Sequence, residues 1–333
     1  MILNPSILAL LLSSLLLTLL VGHAFLTGVR IADKWDITSG SELQLDLERS
    51  TYLVSTIMNM ALVVQLLSLF LFIFTADSLH TRLSGAMCAA GSLAANAYGY
   101  PVLVLKIANF LLCGIWLVIN HVDSRAYDYP LIGPKYLLLR VIAPLILMEA
   151  ALQLLYFMSL RSRALTTCCG SQFDSGSGPI TSVIVSLPPA FALSLFYACM
   201  AAVLASGIIF LAARRGALVF GILSAAALPV GIVSLVAFIS PYYYELPTHH
   251  CPFCIMQGEY GHIGYPLYLA LLGGGVAGIS CGVLASFRGA ESLRSAVPAV
   301  QKRLAAVAVA LYAAFVLLVS WQLAFSSLRM VGG

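Results

Sequence analysis

Apolar residues along this chain gather in eight runs, about 7–29, 52–75, 99–120, 137–160, 187–213, 217–240, 265–287 and 304–325, with short polar stretches between them. A run of about 20 apolar residues is the length a helix needs to cross a hydrocarbon core of about 30 Å. The strands of a membrane barrel would be shorter and would alternate in polarity, and these runs do not. The pattern therefore predicts an all-α, polytopic membrane bundle of about eight transmembrane helices, a single transmembrane domain over residues 1–333. The first run, MILNPSILALLLSSLLL, has no Lys or Arg before it. It lacks the basic region of a secretory signal and reads as a retained span. Gly273-Gly274-Gly275 lies inside the seventh run, where it serves close helix packing better than phosphate binding.

Composition agrees with the pattern. Hydrophobic residues make up 61% of the chain and charged residues 9%, against about 25% charged in soluble domains. The first partner is the lipid bilayer. A formal charge of +4 is modest and gives no ground for a nucleic-acid partner. No ATPase or kinase signature is present.

The basic residues are distributed unevenly. The first, third, fifth and seventh loops hold Arg30, Lys34, Arg49, Arg125, Lys135, Arg140, Arg214, Arg215, Arg288, Arg294, Lys302 and Arg303. The opposite side holds Arg82, Arg161, Arg163 and Arg329, and Lys106 sits within the third run. By the positive-inside rule the odd loops face the cytoplasm and both termini face out. The expected address is the cell inner membrane.

With that orientation, Cys88, Cys168, Cys169, Cys251 and Cys254 all fall in even loops, on the periplasmic side where disulfides persist. Cys113, Cys199 and Cys281 lie inside spans and read as small apolar filler. The sixth loop, ELPTHHCPFCIMQGEYGH, carries the densest chemistry. Cys251 and Cys254 have the spacing of an exchangeable short-loop disulfide. His249 and His250 precede them, and an adjacent imidazolium lowers a thiol's pKa; Cys251 is then the exposed, attacking sulfur and Cys254 the resolving one. The same atoms also suit a soft metal ion. His249 or His250, Cys251, Cys254 and His262 would make a Cys2His2 set for zinc, or for copper with fewer ligands, with Met87 and Met256 as thioether donors. A third reading is a structural bridge in a membrane subunit of a larger complex.

Vicinal cysteines rarely bridge each other, so Cys168 or Cys169 is expected to reach Cys88. Two pairs on one face would form a catalytic relay from a periplasmic thiol protein, through Cys88, Cys168, Cys169, Cys251 and Cys254, to a carrier in the bilayer such as quinone. This arrangement resembles that of the quinone-linked membrane thiol oxidases, the disulfide-bond-forming and vitamin K epoxide reductase groups. Those are smaller bundles, and their span count and cysteine spacing differ from the ones here.

Glu149 and Lys106 are ionisable groups inside spans, where they are expensive. The sequence places them at depths that allow a pair, and makes both candidates for proton or quinone handling at a cofactor-binding site. Lys106 could instead snorkel to the headgroups. His23, His80 and His121 read as satisfied structural histidines, and His23 and His121 differ too much in depth to share a haem. Tyr242, Tyr243, Tyr244, Tyr260 and Tyr265 read as an interfacial aromatic belt.

The orientation gives the first expected outcome. In a chain stripped of its loop cysteines, a cysteine placed at Glu259 should react with a membrane-impermeant maleimide added to intact cells, and one at Arg215 should not. The reverse labelling would invert the topology.

Overall fold

A computed structural model describes residues 4–37, 39–160 and 179–330. Among them the chain is helical, with no strand. Eight helices are long and apolar enough to cross a membrane: α1 Pro5–Lys34, α2 Glu42–Leu79, α3 Gly99–Asp123, α4 Ile132–Ser159, α5 Pro189–Ala213, α6 Ala217–Ser234, α7 Gly264–Val283 and α8 Ala296–Phe325. The protein is a multi-pass membrane protein of helical-bundle type. Helix α2 starts ten residues before the apolar run does, because the charged stretch ELQLDLERS also winds as helix.

Local chemistry sets the ends of these helices. Asn4 caps α1, its side chain accepting from the Ser6 amide at 3.1 Å, and Pro5 occupies the first helical position, where its missing N–H costs nothing. Helix α5 likewise begins at Pro189 and ends at Arg214 in the left-handed region. Helix α6 does not end cleanly. A π turn, Leu235–Ile239, follows it and leads into a short helix, Ser240–Tyr244.

The helices pack as two compact units. The first comprises Met1–Thr75, Asn96–Leu160 and Ser286–Ala299. In it α4 packs against both α1 and α3, over a core that includes Val21, Met58, Trp116, Tyr136 and Ile142. The Trp116 indole donates to the Lys135 carbonyl at 3.1 Å.

This unit buries two ion pairs. Lys135 meets Asp123 at 2.6 Å, and Lys106 meets Glu149 at 2.6 Å. Lys106 and Glu149 are 1% and 2% exposed, so Lys106 does not snorkel. Glu149 also accepts from the Gln65 and Asn109 side-chain amides, each at 2.6 Å, while Lys106 donates to the Ser68 hydroxyl at 3.1 Å. Three donors from three residues thus converge on one buried carboxyl, and the charge-assisted contact with Lys106 is the short one expected of an ion pair. Gln153, one turn beyond Glu149, turns instead to α1 and donates to the Leu10 carbonyl and the Ser14 hydroxyl.

The second unit comprises Ala76–Ala95, Arg161–Ala285 and Val300–Gly333. Helix α6 packs on α7 and α5. Where the α6 and α7 backbones meet, a Cβ on Gly221 would lie 2.7 Å from the Gly282 Cα, so glycine at both positions permits this close approach. The Gly273-Gly274-Gly275 triplet sits against Leu311, Tyr312 and Leu228. It is a packing surface.

Breaking a buried pair leaves an uncompensated charge, which costs about 3–5 kcal/mol. Glu149→Gln or Lys106→Met alone should lower unfolding stability in mixed detergent micelles by that amount. The double variant Lys106→Met/Glu149→Met should recover most of the loss. Additive losses in the double variant would show that the two groups do not depend on each other.

Candidate functional site

The candidate site lies in the second unit and is built from two separated segments. The first is the stretch after α2. The chain turns at Gly85, whose φ of 86° is left-handed, and enters a short helix, Ala89–Leu93, directly after Cys88. The side chains that hold it come from elsewhere. Asp77, near the end of α2, accepts from the Ala89 amide at 3.2 Å, and Gln257 donates to Asp77 at 3.2 Å and to the Met87 carbonyl at 2.9 Å. Cys88 is thereby clamped by its neighbours on both sides.

The second segment is the sixth loop, and its position follows from the π turn. In that turn the Ser240 amide donates to the Leu235 carbonyl, five residues back. In the same register the next carbonyl, Val236, would take its bond from residue 241. Residue 241 is Pro, which has no N–H. The His250 ring supplies the missing donor, with Nδ1 2.9 Å from the Val236 oxygen. This contact fixes the tautomer, because a carbonyl can only accept. His250 is 7% exposed, and its place next to Cys251 ties the motif to the helix.

Tyrosines hold the rest of the loop. The Tyr244 hydroxyl donates to the Cys251 carbonyl at 2.5 Å and accepts from the Ile255 amide at 2.9 Å. The Tyr268 hydroxyl donates to the Pro252 carbonyl at 2.9 Å. Tyr242 and Tyr244 are buried, so these two belong to the protein interior and not to the aromatic belt expected of them. At the loop's entry Glu245 accepts from the Ser327 amide and hydroxyl, both at 2.8 Å. These bonds, the backbone one first, hold its carboxyl below the usual carboxylate range.

The result is a cluster of sulfurs. Cys88 Sγ lies 3.5 Å from Cys251 Sγ, and Cys88, Cys251 and Cys254 lie within 4.8 Å of one another. They are 0%, 0% and 6% exposed. Cys251 is thus not the exposed sulfur that the sequence led us to expect; the loop folds inward because its carbonyls find donors there. The short 3-10 turn of this loop starts at Cys254.

The remaining candidates are dispersed. His249 Nε2 is 3.5 Å from Cys254 Sγ, so this histidine touches the cluster at one corner. His262 is exposed, has a φ of 56°, and bonds through Nδ1 to the Met256 carbonyl at 2.7 Å. Among the described residues the sulfur cluster includes neither His250 nor His262. Cys168 and Cys169, and with them their expected bridge to Cys88, lie outside the described residues. Lys106 and Glu149 belong to the first unit and are occupied with each other.

Sequence reasoning missed Asp77, Gln257 and the structural use of Tyr244. Only the polarity of Asp77 and Gln257 beside apolar runs could have marked them. The chain matches no protein-family model, no curated protein and no solved structure.

The two halves of the clamp should come apart separately. Tyr244→Phe orphans a buried carbonyl and a buried amide, at about 1–3 kcal/mol each. It should speed alkylation of Cys251 by a small maleimide without altering Cys88. Gln257→Leu should speed alkylation of Cys88 and leave Cys251 slow. Equal acceleration of both sulfurs by either variant would deny the assignment.

Proposed function

We propose that this protein binds one thiophilic metal ion in the membrane-spanning chain's second unit, with Cys88, Cys251 and Cys254 as thiolate ligands. The supporting observation is the convergence of three buried sulfurs from two segments 163 residues apart. Sulfur ligands about 2.3 Å from a metal lie about 3.8 Å apart in a tetrahedron and about 4.0 Å apart in a trigonal plane. The Cys88–Cys251 separation of 3.5 Å, with all three sulfurs within 4.8 Å of one another, is compatible with those edges after small side-chain adjustments. Three thiolates alone suit copper(I), a soft ion at home with few ligands. With His249 swung in beside Cys254, the set becomes the Cys3His of a zinc site. His250 and His262 each have Nδ1 fixed on a backbone carbonyl, and neither belongs to the sulfur cluster; His249, with Nε2 3.5 Å from Cys254 Sγ, is the histidine beside it.

Burial favours this reading over exchange with a soluble thiol protein, because such a partner must reach a sulfur to form a mixed disulfide. We further propose that the cluster faces the periplasmic side of an inner membrane, on the strength of the basic-residue asymmetry.

One observation favours a second reading, intramolecular thiol–disulfide exchange. With Cys251 and Cys254 bridged, a Cys88 thiolate would be placed to attack Cys251 Sγ. The Cys88–Cys251 bond would form as the Cys251–Cys254 bond broke, and Cys254 would leave as a thiolate beside His249. No electrons are gained or lost in that step. Onward transfer to quinone would be the oxidase-like function.

The two readings separate in one preparation. Protein purified under reducing conditions should carry about one equivalent of copper or zinc. Cys88→Ser should lose it, while Cys113→Ser in the first unit should keep it. Less than a few tenths of an equivalent in the parent protein, together with a Cys251–Cys254 disulfide trapped in cells, would replace metal binding with exchange.

A further inference from the structure

The first unit contains a cleft of about 220 Å³ that the sulfur chemistry does not use. Tyr52, Ser55, Thr56, Asn59 and Met60 of α2 form one wall. Asn120 and Ser124, at the end of α3, and Tyr129 and Lys135 form the other. The α2 wall is open to the outside. Tyr52 is 65% exposed and Met60 69%, and Thr56 and Asn59 are exposed as well. Leu53, Ile57 and Val64 on the same helix are also exposed, as expected of a face turned to lipid. Tyr52 opens the second apolar run and Asn120 closes the third, so the cleft belongs to the ends of these spans, where lipid headgroups begin.

The inner wall has unmet demand. Asn120 is 6% exposed, yet its amide oxygen takes no hydrogen bond from the protein. Lys135, at 1% exposure, spends two of its three protons on Asp123 and on Ser55, at 2.6 and 3.3 Å. Asp123 neutralises Lys135 through one oxygen and accepts from the Leu131 amide at 2.9 Å with the other. The cleft therefore carries no net charge to attract an anion, and no carboxylate lines it to hold a cation. It offers acceptors at Asn120 and at the Thr56 oxygen, whose own proton goes to the Tyr52 carbonyl at 2.9 Å, hydroxyls at Ser55 and Tyr129, and a donor at Lys135.

We propose that this cleft binds the polar headgroup of a bilayer-borne amphiphile, an uncharged ring bearing hydroxyls that both donate and accept. Its apolar tail would leave past Met60 into lipid. A hexosyl lipid and a quinol share that chemistry.

The full chain in phosphatidylcholine nanodiscs would be titrated with glucosyl dioleoylglycerol, decylubiquinol or dioleoyl phosphatidic acid, with binding read by native mass spectrometry and by the shift in melting temperature. One of the two uncharged probes should bind saturably and raise the melting temperature, and which one does so identifies the source of the headgroup. Asn120→Leu should weaken that binding at least tenfold, and Thr56→Val should do the same should Asn120→Leu fail to fold. The proposal is overturned if neither uncharged probe saturates, if phosphatidic acid binds as well as they do, or if a folded variant binds like the parent.

Discussion

Hydrocarbon offers no hydrogen bonds, so every polar group carried into the bilayer must find its partner within the protein. That constraint makes the chain helical and then decides where its chemistry sits. Pro241 takes one amide out of the ladder where α6 has already widened into a π turn. The Val236 carbonyl is left without a backbone donor, and His250 meets it from nine residues past the proline. The sulfur-bearing loop is thus fastened to the membrane helix by the repair of a helix defect. Such π turns recur at functional sites, and here the physical link is a single imidazole N–H.

The same constraint works differently on charges and on sulfurs. Glu149 can be buried because Lys106 neutralises it and two side-chain amides complete its coordination. Thiols need no such retinue. A protonated cysteine behaves as a small hydrophobe, so three of them can be gathered at almost no exposure without a web of donors. A metal ion supplies the positive charge that would stabilise the thiolates, and its binding is then coupled to release of their protons.

The legible part of the structure is the part set by local composition. Run lengths alone located all eight helices, and depth counting put Lys106 and Glu149 close enough in level to allow a pair. The CPFC pair announced itself by spacing. What the sequence could not convey was which residues of other helices face these groups. Gln65, Ser68 and Asn109 meet the ion pair through the rotational setting of α2 and α3, which no single run encodes. Cys88 was marked as chemically interesting, but its meeting with Cys251 depends on the clamp of Asp77 and Gln257, residues 180 apart. The tyrosines misled for a related reason. An aromatic residue near a helix end fits the interfacial belt until the loop beyond it folds back and consumes its hydroxyl, as Cys251 and Ile255 do with Tyr244.

How firmly the backbone is held bears on the choice between a metal centre and a shuttling disulfide. Exchange brings sulfurs from contact to a bond length of about 2.05 Å and then releases them, so their backbones must give. Here the Cys251 and Pro252 carbonyls, the Ile255 amide, the Met87 carbonyl and the Ala89 amide are all engaged by side chains from outside their own segments. A ligand set asks for less: the sulfurs stay near their present spacing and only side-chain torsions adjust. Supporting contacts that lock the ligating side chains in place are also what metal sites require for affinity and selectivity. The stiffness of the surrounding backbone thus points the same way as the burial of the sulfurs, toward a centre that holds an ion and away from one that swings between partners.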